Sequence, residues 1–261
     1  MGIEIYKILG FSELLYHYTS IDAICDGIIT KDGLVFRLTH CAYLNDTKEY
    51  DLGREVFSNR LKGAEKEYIE YMKSNPSYIL SLSQKQDFLP MWGMYGKNGS
   101  GLMLGLSTDD IFNFVGTGLD ECKYCNDNLI FDNDEDEAHI TACIATYEKI
   151  KAKKIYDDVA TYHLRRKLDE LIPFIKSNYF AYEKEVRLAI KANKNDNISY
   201  RSIGNIIVPY ITIILPKNIL RKIMIGPTLD AKRVEQSLKL YLDDMGYEDV
   251  SIEVSHAPYR G

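Results

Sequence analysis

Residues 78–106, YILSLSQKQDFLPMWGMYGKNGSGLMLGL, contain two short apolar segments joined by a stretch rich in turn-forming residues. Alternation over 78–83 predicts a strand, and the apolar run over 101–106, flanked by turn residues, predicts a second strand. Between them, FLPMWGMYG at 88–96 predicts a short helix or a turn. The rest of the fold is predicted outward from this strand, short helix and strand.

Short strands and grouped helices surround this centre. Further strands are predicted at 14–18, 183–191, 210–215, 222–225 and 250–254, and helices after the N-cap residue Ser20, over 47–72, over 137–176 with a break at Pro173, and over 230–245. Because the strands are bunched and the helices lie between the bunches, the pattern indicates an α+β fold rather than regular βαβ alternation. We expect a single domain over 1–261 with a helical insertion at 137–176.

The composition is that of an ordinary globular protein. Of 261 residues, 27% are charged and 46% are hydrophobic, and 32 basic residues against 38 acidic ones give a net charge of −6. No apolar run approaches the roughly 18 residues that cross a bilayer, and the N-terminus lacks a basic region followed by an apolar one. Five scattered cysteines do not form a disulfide framework, so we expect a cytoplasmic protein without a membrane segment. The negative charge argues weakly against nucleic acid as a default partner.

No motif predicts a metal site or a common cofactor-binding fold. The acidic stretch at 127–137, DNLIFDNDEDE, is expected to be a solvated loop; calcium binding is the alternative, but the ligand order and central glycine of an EF-hand are absent. The histidines show no metal spacing, and Cys122 and Cys125 form a lone C-x-x-C. A glycine-rich dinucleotide fingerprint, a P-loop and a nucleophile elbow are also missing.

The predicted strand at 183–191 carries an unusual mixture of charges. Alternation places Lys184 with three apolar residues on one face. It places Glu183, Glu185 and Arg187 on the other face. Periodicity alone favours an exposed face with an Arg–Glu pair, which contributes about 0 to 1 kcal/mol. A functional site is the alternative, since solubility does not require both signs of charge in line on a mid-sheet strand.

Small hydroxyl and aromatic side chains near the other strands are further candidates. Ser81 and Ser83 share one face of their strand, which leaves room for a ligand, although the polarity of an edge strand is the alternative. Trp92 and Tyr95 share one face of a helical turn, so they either stack a flat heterocycle or belong to the core. The core is favoured for Trp92, while Tyr95 fits both interpretations equally. His17 on a short strand gives weak support for a ligand site by itself.

In chain order, LYHYTS at 15–20, the segment 78–106 and YEKEVRLAI at 182–190 resemble the three conserved blocks of ADP-ribosyltransferases of the His-Tyr-Glu kind. More narrowly, the whole chain is similar to a bacterial family of uncharacterised domains. That family has a His-Tyr-Thr opening, a Tyr-Leu-Asn-Asp segment (43–46 here), a Met-Trp-x-x-Tyr segment and a Tyr-Glu-x-Glu-x-Arg strand. The resemblance implies an ADP-ribosyltransferase-like fold, in which helices are grouped around a split mixed β-sheet.

The resemblance also implies NAD as the substrate and gives roles to individual residues. Glu185 corresponds to the carboxylate that stabilises the sugar cation formed when nicotinamide leaves, Tyr95 to the residue that stacks the nicotinamide ring, and His17 to the residue that hydrogen-bonds the adenosine ribose. Further implied contacts with the dinucleotide are the backbone of Tyr18 and the residues Thr19, Ser81, Ser83, Trp92, Glu183 and Arg187, with Asn45 and Asp46 as weaker substrate contacts. A direct ion pair with Arg187 would occupy the Glu185 carboxylate, unless Glu183 binds that guanidinium instead.

The activity implied by the resemblance is that of an NAD-dependent ADP-ribosyltransferase without a metal. Its acceptor would be a protein or a nucleic acid, and toxin or antiphage defence, with an antitoxin or defence partner, is the implied setting. Two alternatives stay open: a catalytically silent module that binds a nucleotide or a partner in the same cleft, and an NAD glycohydrolase that uses water as the acceptor. For an active enzyme, we expect Glu185→Gln to abolish NAD consumption with little loss of folding stability.

Overall fold

The structure of the protein, a computed structural model, describes residues 4–44, 49–61, 69, 76–152, 157–192 and 197–259. Within these ranges the strands are β1 (Leu14–Thr19), β2 (Ile29–Thr30), β3 (Gly33–His40), β4 (Ser77–Ser83), β5 (Leu102–Ser107), β6 (Leu119–Glu121), β7 (Lys123–Cys125), β8 (Ile175–Ser177), β9 (Glu185–Lys191), β10 (Ser199–Ile203), β11 (Ile206–Leu215), β12 (Leu220–Ile225) and β13 (Ser251–Val254). The α-helices are α1 (Ile5–Leu9), α2 (Ile21–Ala23), α3 (Glu49–Ser58), α4 (Leu89–Met94), α5 (Thr108–Val115), α6 (Asp134–Lys151), α7 (Asp157–Leu171) and α8 (Ala231–Met245).

One large sheet organises these elements. Its main strand order is β10-β11-β3-β4-β1-β5-β12-β13, while β2 pairs with β3, and β9 pairs with both β4 and β6. Within this sheet the described strand pairs are antiparallel except for the parallel pair of β12 and β13, so the sheet is mixed. β7 and β8 form a separate, parallel two-stranded sheet. A large mixed sheet with helices confirms the α+β class.

The sheet forks at β4. Along one edge, the whole of β4 pairs with β9, from Ser77 opposite Lys191 to Ser83 opposite Glu185. Along the other edge, β3 pairs only with the start of β4, where Thr39 lies opposite Ile79, and β1 pairs only with its end. The strands β3 and β1 therefore diverge along residues 80–82, and the sheet opens there.

Two large apolar cores hold the sheet and the helices in place. The first lies under the sheet, where Leu15, Leu104 and Ile223 are fully buried and Leu238 of α8 packs against them. The second joins α3, α6 and α7 through buried residues such as Phe57, Ile140, Leu164 and Leu168. Full burial of one such side chain contributes about 1.5–3 kcal/mol. The second core fixes the helical layer that faces β8 and β9.

All the predicted strands are present, although their ends and their neighbours differ from the prediction. The strand predicted from Glu183 begins at Glu185, because residues 178–183 form a 3-10 helix and Lys184 adopts a left-handed conformation with φ of 44°. The central strand β3 was not predicted, nor were the short strands β2, β6, β7, β8 and β10.

The predicted helices are confirmed in part. The Ser20 hydroxyl caps α2, but the α-helix lasts only three residues and continues as a π-turn that ends at Ile28. The predicted helix at 47–72 contains α3, and most of its remainder lies outside the described residues. The helix predicted over 137–176 with a break only at Pro173 is two helices, since α6 ends at Lys151 and α7 begins at Asp157. Its end is also wrong, because Ile172–Phe174 is a 3-10 turn containing Pro173 and β8 follows.

The acidic stretch at 127–137 is a loop only in its first half. Asn133 caps α6, and Asp134 begins the helix, so the prediction of a loop is wrong for the last four residues. Carboxylates in a first helical turn interact favourably with the helix dipole, which explains their position.

Candidate functional site

A cavity of about 680 Å³ lies at the fork of the sheet. Residues 79–82 of β4 form part of its lining, together with residues 16–19 of β1 and side chains of β3. The opposite wall includes Lys176 of β8 and Phe180 of the 3-10 helix that precedes β9. The cavity thus occupies the place where β3 and β1 separate.

Three distant parts of the chain bring the main predicted residues together in this cavity. His17 of β1, Tyr95 at the end of α4 and Glu185 at the start of β9 all line it. Tyr18, Thr19, Ser81 and Glu183 line the same cavity.

Three other predicted contacts lie outside the lining. Trp92 is fully buried beneath it, where its ring packs edge-on against Tyr18 and its Nε1 donates a hydrogen bond to Asp87. Ser83 is buried and donates a hydrogen bond to the Glu183 carbonyl. Arg187 lies behind Glu185. The core position predicted for Trp92 is confirmed, and a direct contact between Trp92 and a ligand is not supported. Asn45 and Asp46 lie outside the described residues.

Four charged side chains form a buried cluster at one end of the cavity. Lys176 Nζ donates to Glu183 Oε2 at 2.8 Å and to Glu185 Oε2 at 2.6 Å. Arg187 binds Glu185 through Nε at 2.9 Å and Nη2 at 3.2 Å, and its Nη1 donates to the Pro173 carbonyl at 2.6 Å. None of the four residues exposes more than 4% of its surface. The exposed Arg–Glu face favoured by periodicity is therefore wrong, because β8 and the 172–174 turn cover this face of β9.

The cluster pairs Arg187 with Glu185 rather than with Glu183. Glu183 accepts from Lys176 and from the Tyr95 hydroxyl, at 2.9 Å from its Oε1. With two carboxylates and two cations, the cluster has no net formal charge. Both oxygens of Glu185 are engaged in ion pairs, so the direct pair with Arg187 considered from the sequence does occupy this carboxylate.

The protonation of this cluster follows from burial and from neighbouring charges. Burial raises the pKa of Glu185, while Lys176 and the nearby Ser81 hydroxyl oppose that rise. Burial by itself would lower the pKa of Lys176, but the carboxylates of Glu185 and Glu183 raise it overall. Lys176 therefore stays protonated at neutral pH and holds both carboxylates.

Tyr95 is positioned by the short helix α4 and by the glycine that follows it. Met91 and Trp92 anchor the helix through burial, and Tyr95 forms its C-terminal cap. Gly96 lies against the Trp92 ring, where a Cβ atom would overlap ring carbon Cε3. The chain can therefore turn directly after Tyr95 and leave its hydroxyl aimed at Glu183.

His17 presents a neutral imidazole to the cavity. Its ring packs edge-on against Phe36 with centroids 5.3 Å apart, and Nδ1 lies 3.4 Å from the Ser81 carbonyl oxygen. Because a carbonyl only accepts, this contact assigns the proton to Nδ1 and leaves Nε2 as an acceptor. Burial, and to a smaller extent the charge of Arg201, lower the pKa of His17 to about 4. The ring is thus suited to accept a hydrogen bond from a ligand hydroxyl.

Sequence reasoning missed several residues that line the cavity: Arg37, Thr39, Lys176, Phe180 and Arg201. Lys176 was placed at the end of a helix, although a lysine directly after the apolar run IPFI needs a buried partner. Its Nζ lies over the Phe180 ring, 4.8 Å from the centroid, and bonds both carboxylates. Arg37 was missed together with its strand.

Comparison with known proteins adds one finding about this region. The family model described as Protein of unknown function (DUF2971) matches residues 91–188, a segment that contains Tyr95, Lys176, Glu183 and Glu185. This segment is therefore a DUF2971 domain. None of the curated proteins and none of the solved structures matches the chain.

The described ranges contain neither a metal-binding cluster nor a helix able to cross a membrane. Their histidine, cysteine, aspartate and glutamate residues form no group of three or more that could hold a metal ion. The helices in those ranges include none with the length and hydropathy needed to cross a membrane.

Proposed function

We propose that this protein is an ADP-ribosyltransferase-like enzyme that binds NAD in the cavity at the fork, breaks the nicotinamide–ribose bond and transfers ADP-ribose to a macromolecular acceptor. The observation that carries the proposal is the convergence of His17, Tyr95 and Glu185 on one cavity. A volume of about 680 Å³ lies within the roughly 300–1,000 Å³ typical of ligand sites. The opening of the sheet at β4 supports a split sheet of the ADP-ribosyltransferase type as the finer description of the fold.

The proposed chemistry assigns a task to each of the three side chains. His17 Nε2 accepts a hydrogen bond from a hydroxyl of the adenosine ribose, and the Tyr95 ring stacks on the nicotinamide. As the bond between ribose C1′ and the ring nitrogen breaks, its electron pair leaves with nicotinamide and positive charge develops on the ribose. Glu185 lies nearest to that charge, and the acceptor then bonds to C1′ and gives up a proton.

The ion pairs of Glu185 favour a second candidate, a nucleotide-binding module without catalysis. A carboxylate bound by both Lys176 and Arg187 offers less electrostatic stabilisation to a sugar cation than an unpaired one. For catalysis, one oxygen of Glu185 has to give up its contact with Lys176 or Arg187 and face the ribose instead. For binding alone, the ion pairs of the cluster need not change.

Nicotinamide release and NAD binding distinguish these candidates. The full chain is incubated with NAD carrying a label in its adenosine half, free nicotinamide and free ADP-ribose are quantified by chromatography, and NAD binding is measured by calorimetry. Nicotinamide release with label on a macromolecule supports the transferase, and release matched by free ADP-ribose supports the glycohydrolase. Binding without nicotinamide release supports the module, and no binding at millimolar NAD contradicts all three.

The variant that tests Glu185 has to preserve the charge balance of the cluster. The sequence suggested that Glu185→Gln costs little stability, but this does not fit the structure, since the substitution leaves two buried cations with one carboxylate. Breaking a buried ion pair from one side typically costs about 3–5 kcal/mol. The double variant Lys176→Met/Glu185→Gln removes one charge of each sign and keeps the cluster neutral.

We expect this double variant to fold and to lose nicotinamide release by about 100-fold or more. Glu148→Gln, on the exposed side of α6, is the matched control and keeps wild-type turnover. A folded double variant that releases nicotinamide at the wild-type rate would remove Glu185 from the mechanism.

A further inference from the structure

Two arginines that line the cavity lie on β3 and β10, the two strands that flank β11. Arg37 lies on β3, opposite Thr212 of β11. Arg201 lies on β10, opposite Val208 of β11. Both guanidinium groups pack over the ring of Tyr210, with their central carbons 5.5 and 5.7 Å from its centroid. The shared ring brings two positive charges to the same face of the sheet.

These two cations differ from those of the buried cluster, because neither makes an ion pair with a carboxylate in the described part of the chain. Arg201 Nη2 donates to the Thr39 hydroxyl at 2.7 Å. Its Nε is buried and has no hydrogen-bond partner among the residues that the structure describes. Burial, and then the charge of Arg37, lower the pKa of Arg201. A buried donor without an acceptor destabilises the fold, and an anion that accepts from it would remove that cost.

The arginine pair and Glu185 lie on opposite sides of β4, because β3, β11 and β10 follow one edge of that strand and β9 follows the other. Ser81 of β4 is close to both Glu185 and His17, since its hydroxyl acts on the Glu185 carboxylate and its carbonyl faces His17 Nδ1. The charge of Arg201 acts on the His17 imidazole. The cavity is therefore lined by a charge-balanced cluster on the β9 side, by a neutral imidazole and by two arginines on the β3 side. Asp22 and Asp26 line the cavity too, but neither forms an ion pair with these arginines in the described part of the chain.

We propose that Arg37 and Arg201 bind a phosphate group on the adenosine half of the nucleotide that enters this cavity. The planar guanidinium forms paired hydrogen bonds with phosphate oxygens, and two such groups that form no ion pair with a carboxylate of the described residues favour a doubly charged anion. The assignment of this half rests on the proposed function, in which His17 contacts the adenosine ribose. The phosphate belongs either to the diphosphate bridge or to an additional monoester on the ribose, and the two sources share the same chemistry.

Calorimetry with ligands that contain no nicotinamide tests this proposal. AMP, adenosine and inorganic pyrophosphate are titrated into the full chain and into Arg37→Gln/Arg201→Gln. We expect AMP to bind wild type at least about 10-fold more tightly than adenosine, because hydrogen bonds between charged groups are stronger than those between neutral ones. In the double variant this ratio falls to about 1. The control Arg221→Gln alters an arginine paired with Asp110, outside the cavity lining, and keeps the wild-type ratio.

Two further measurements identify which phosphate is bound and show whether the double variant folds. Tighter binding of NADP than of NAD, lost in the double variant, assigns the site to a ribose monoester; equal binding assigns it to the diphosphate. Circular dichroism reports whether the double variant folds, and if it does not, Arg201→Lys replaces it and is expected to weaken AMP but not adenosine.

The proposal is overturned if AMP and adenosine bind wild type equally, if neither AMP nor pyrophosphate binds, or if the ratio is unchanged in the folded variants. Because these ligands cannot release nicotinamide, a preference for AMP would stand even if NAD is never cleaved. Conversely, NAD cleavage with equal binding of AMP and adenosine would remove only the phosphate site.

Discussion

His17 illustrates how one side chain combines a role in stability with a role in binding. Its pKa is lowered from 6.5 to about 4, chiefly by burial and also by Arg201, while its Nδ1 proton faces the Ser81 carbonyl. Since the folded pKa lies below the unfolded one, the neutral ring stabilises the fold fully above pH 6.5. That stabilisation is lost as the pH falls from 6.5 towards 4.

The first prediction is therefore a pH dependence that belongs to this residue. Between about pH 7 and pH 4, urea denaturation of wild type should show an unfolding free energy that falls with pH, with a contribution from His17 of up to about 1.4 kcal/mol per pH unit. His17→Gln should lack this contribution, whereas His163→Gln, exposed on α7, should retain it. Equal slopes in wild type and His17→Gln would show that the imidazole is not held neutral by the fold.

The second prediction concerns the buried charge cluster. Lys176→Met leaves Glu183 and Glu185 without their shared cation, so we expect a loss of about 3–5 kcal/mol in unfolding free energy. The double variant Lys176→Met/Glu185→Gln again has equal numbers of positive and negative charges in the cluster. Its loss in unfolding free energy should therefore be smaller than the sum of the two single losses by at least about 1 kcal/mol. Chemical denaturation of the four proteins in the cycle measures this coupling. Additive losses would mean that the two side chains do not act as a pair.

At the level of elements, a close crossing of backbone segments sets the position of β5 beside the cavity. A Cβ atom on Gly101 would overlap the backbone oxygens of Thr19 and Gly96. The Gly101 carbonyl also accepts a hydrogen bond from the Gly226 amide. Thr19 lines the cavity, so the fit of these segments also shapes the site.

The third prediction follows from this crossing. Gly101→Ala should lower the unfolding free energy by about 1–3 kcal/mol or more, because backbone atoms cannot yield as a flexible side chain does. Gly93→Ala is the matched control: its nearest neighbour would be the Tyr259 hydroxyl at 3.9 Å, and α4 should gain about 0.5–1 kcal/mol from the better helix former. Denaturation midpoints of both variants give the comparison, and an unchanged midpoint for Gly101→Ala would contradict the crossing.

The elements also show which parts of the fold could be predicted from sequence. Local patterns were sufficient for β1, β4 and β5, because their apolar runs are bounded by turn residues. In β3, Leu34, Phe36 and Leu38 alternate with Val35, Arg37 and Thr39, so a strand was predictable there from the β-branched and apolar residues. The start of β9 was not predictable, since the left-handed turn at Lys184 breaks an alternation that looks continuous in the sequence.

The sequence predicted some of the residues that line the cavity, but it did not predict the contacts between them. The motifs around His17, Tyr95 and Glu185 pointed to one cleft, and the three side chains do line one cavity. That Glu185 binds Lys176 and Arg187 depends on how β8 lies against β9, a contact between elements that no local pattern encodes. For the same reason, burial of these charges was missed.

At the scale of the whole molecule, the helical layer and the sheet are tied together next to the site. Arg187 of β9 donates to the Pro173 carbonyl, directly after α7, and Lys176 of β8 bonds the carboxylates of Glu183 and Glu185. In the helical core, Leu168 is fully buried. These contacts imply that the helical layer and the sheet unfold together rather than as separate units.

The last prediction uses the single tryptophan of the chain to test this coupling. Trp92 is fully buried in a separate cluster beside the sheet, so its fluorescence reports on that region, whereas far-ultraviolet circular dichroism is weighted towards the long helices α6 and α7. Leu168→Ala should cost about 2–5 kcal/mol and shift both transitions equally in a urea titration. Val159 is exposed on the same helix, so Val159→Ala should not lower the urea midpoint of either transition. If Leu168→Ala lost its helical signal at lower urea than its Trp92 fluorescence, the helical layer would unfold independently of the sheet. The charged contacts between that layer and β9 would then not couple the two.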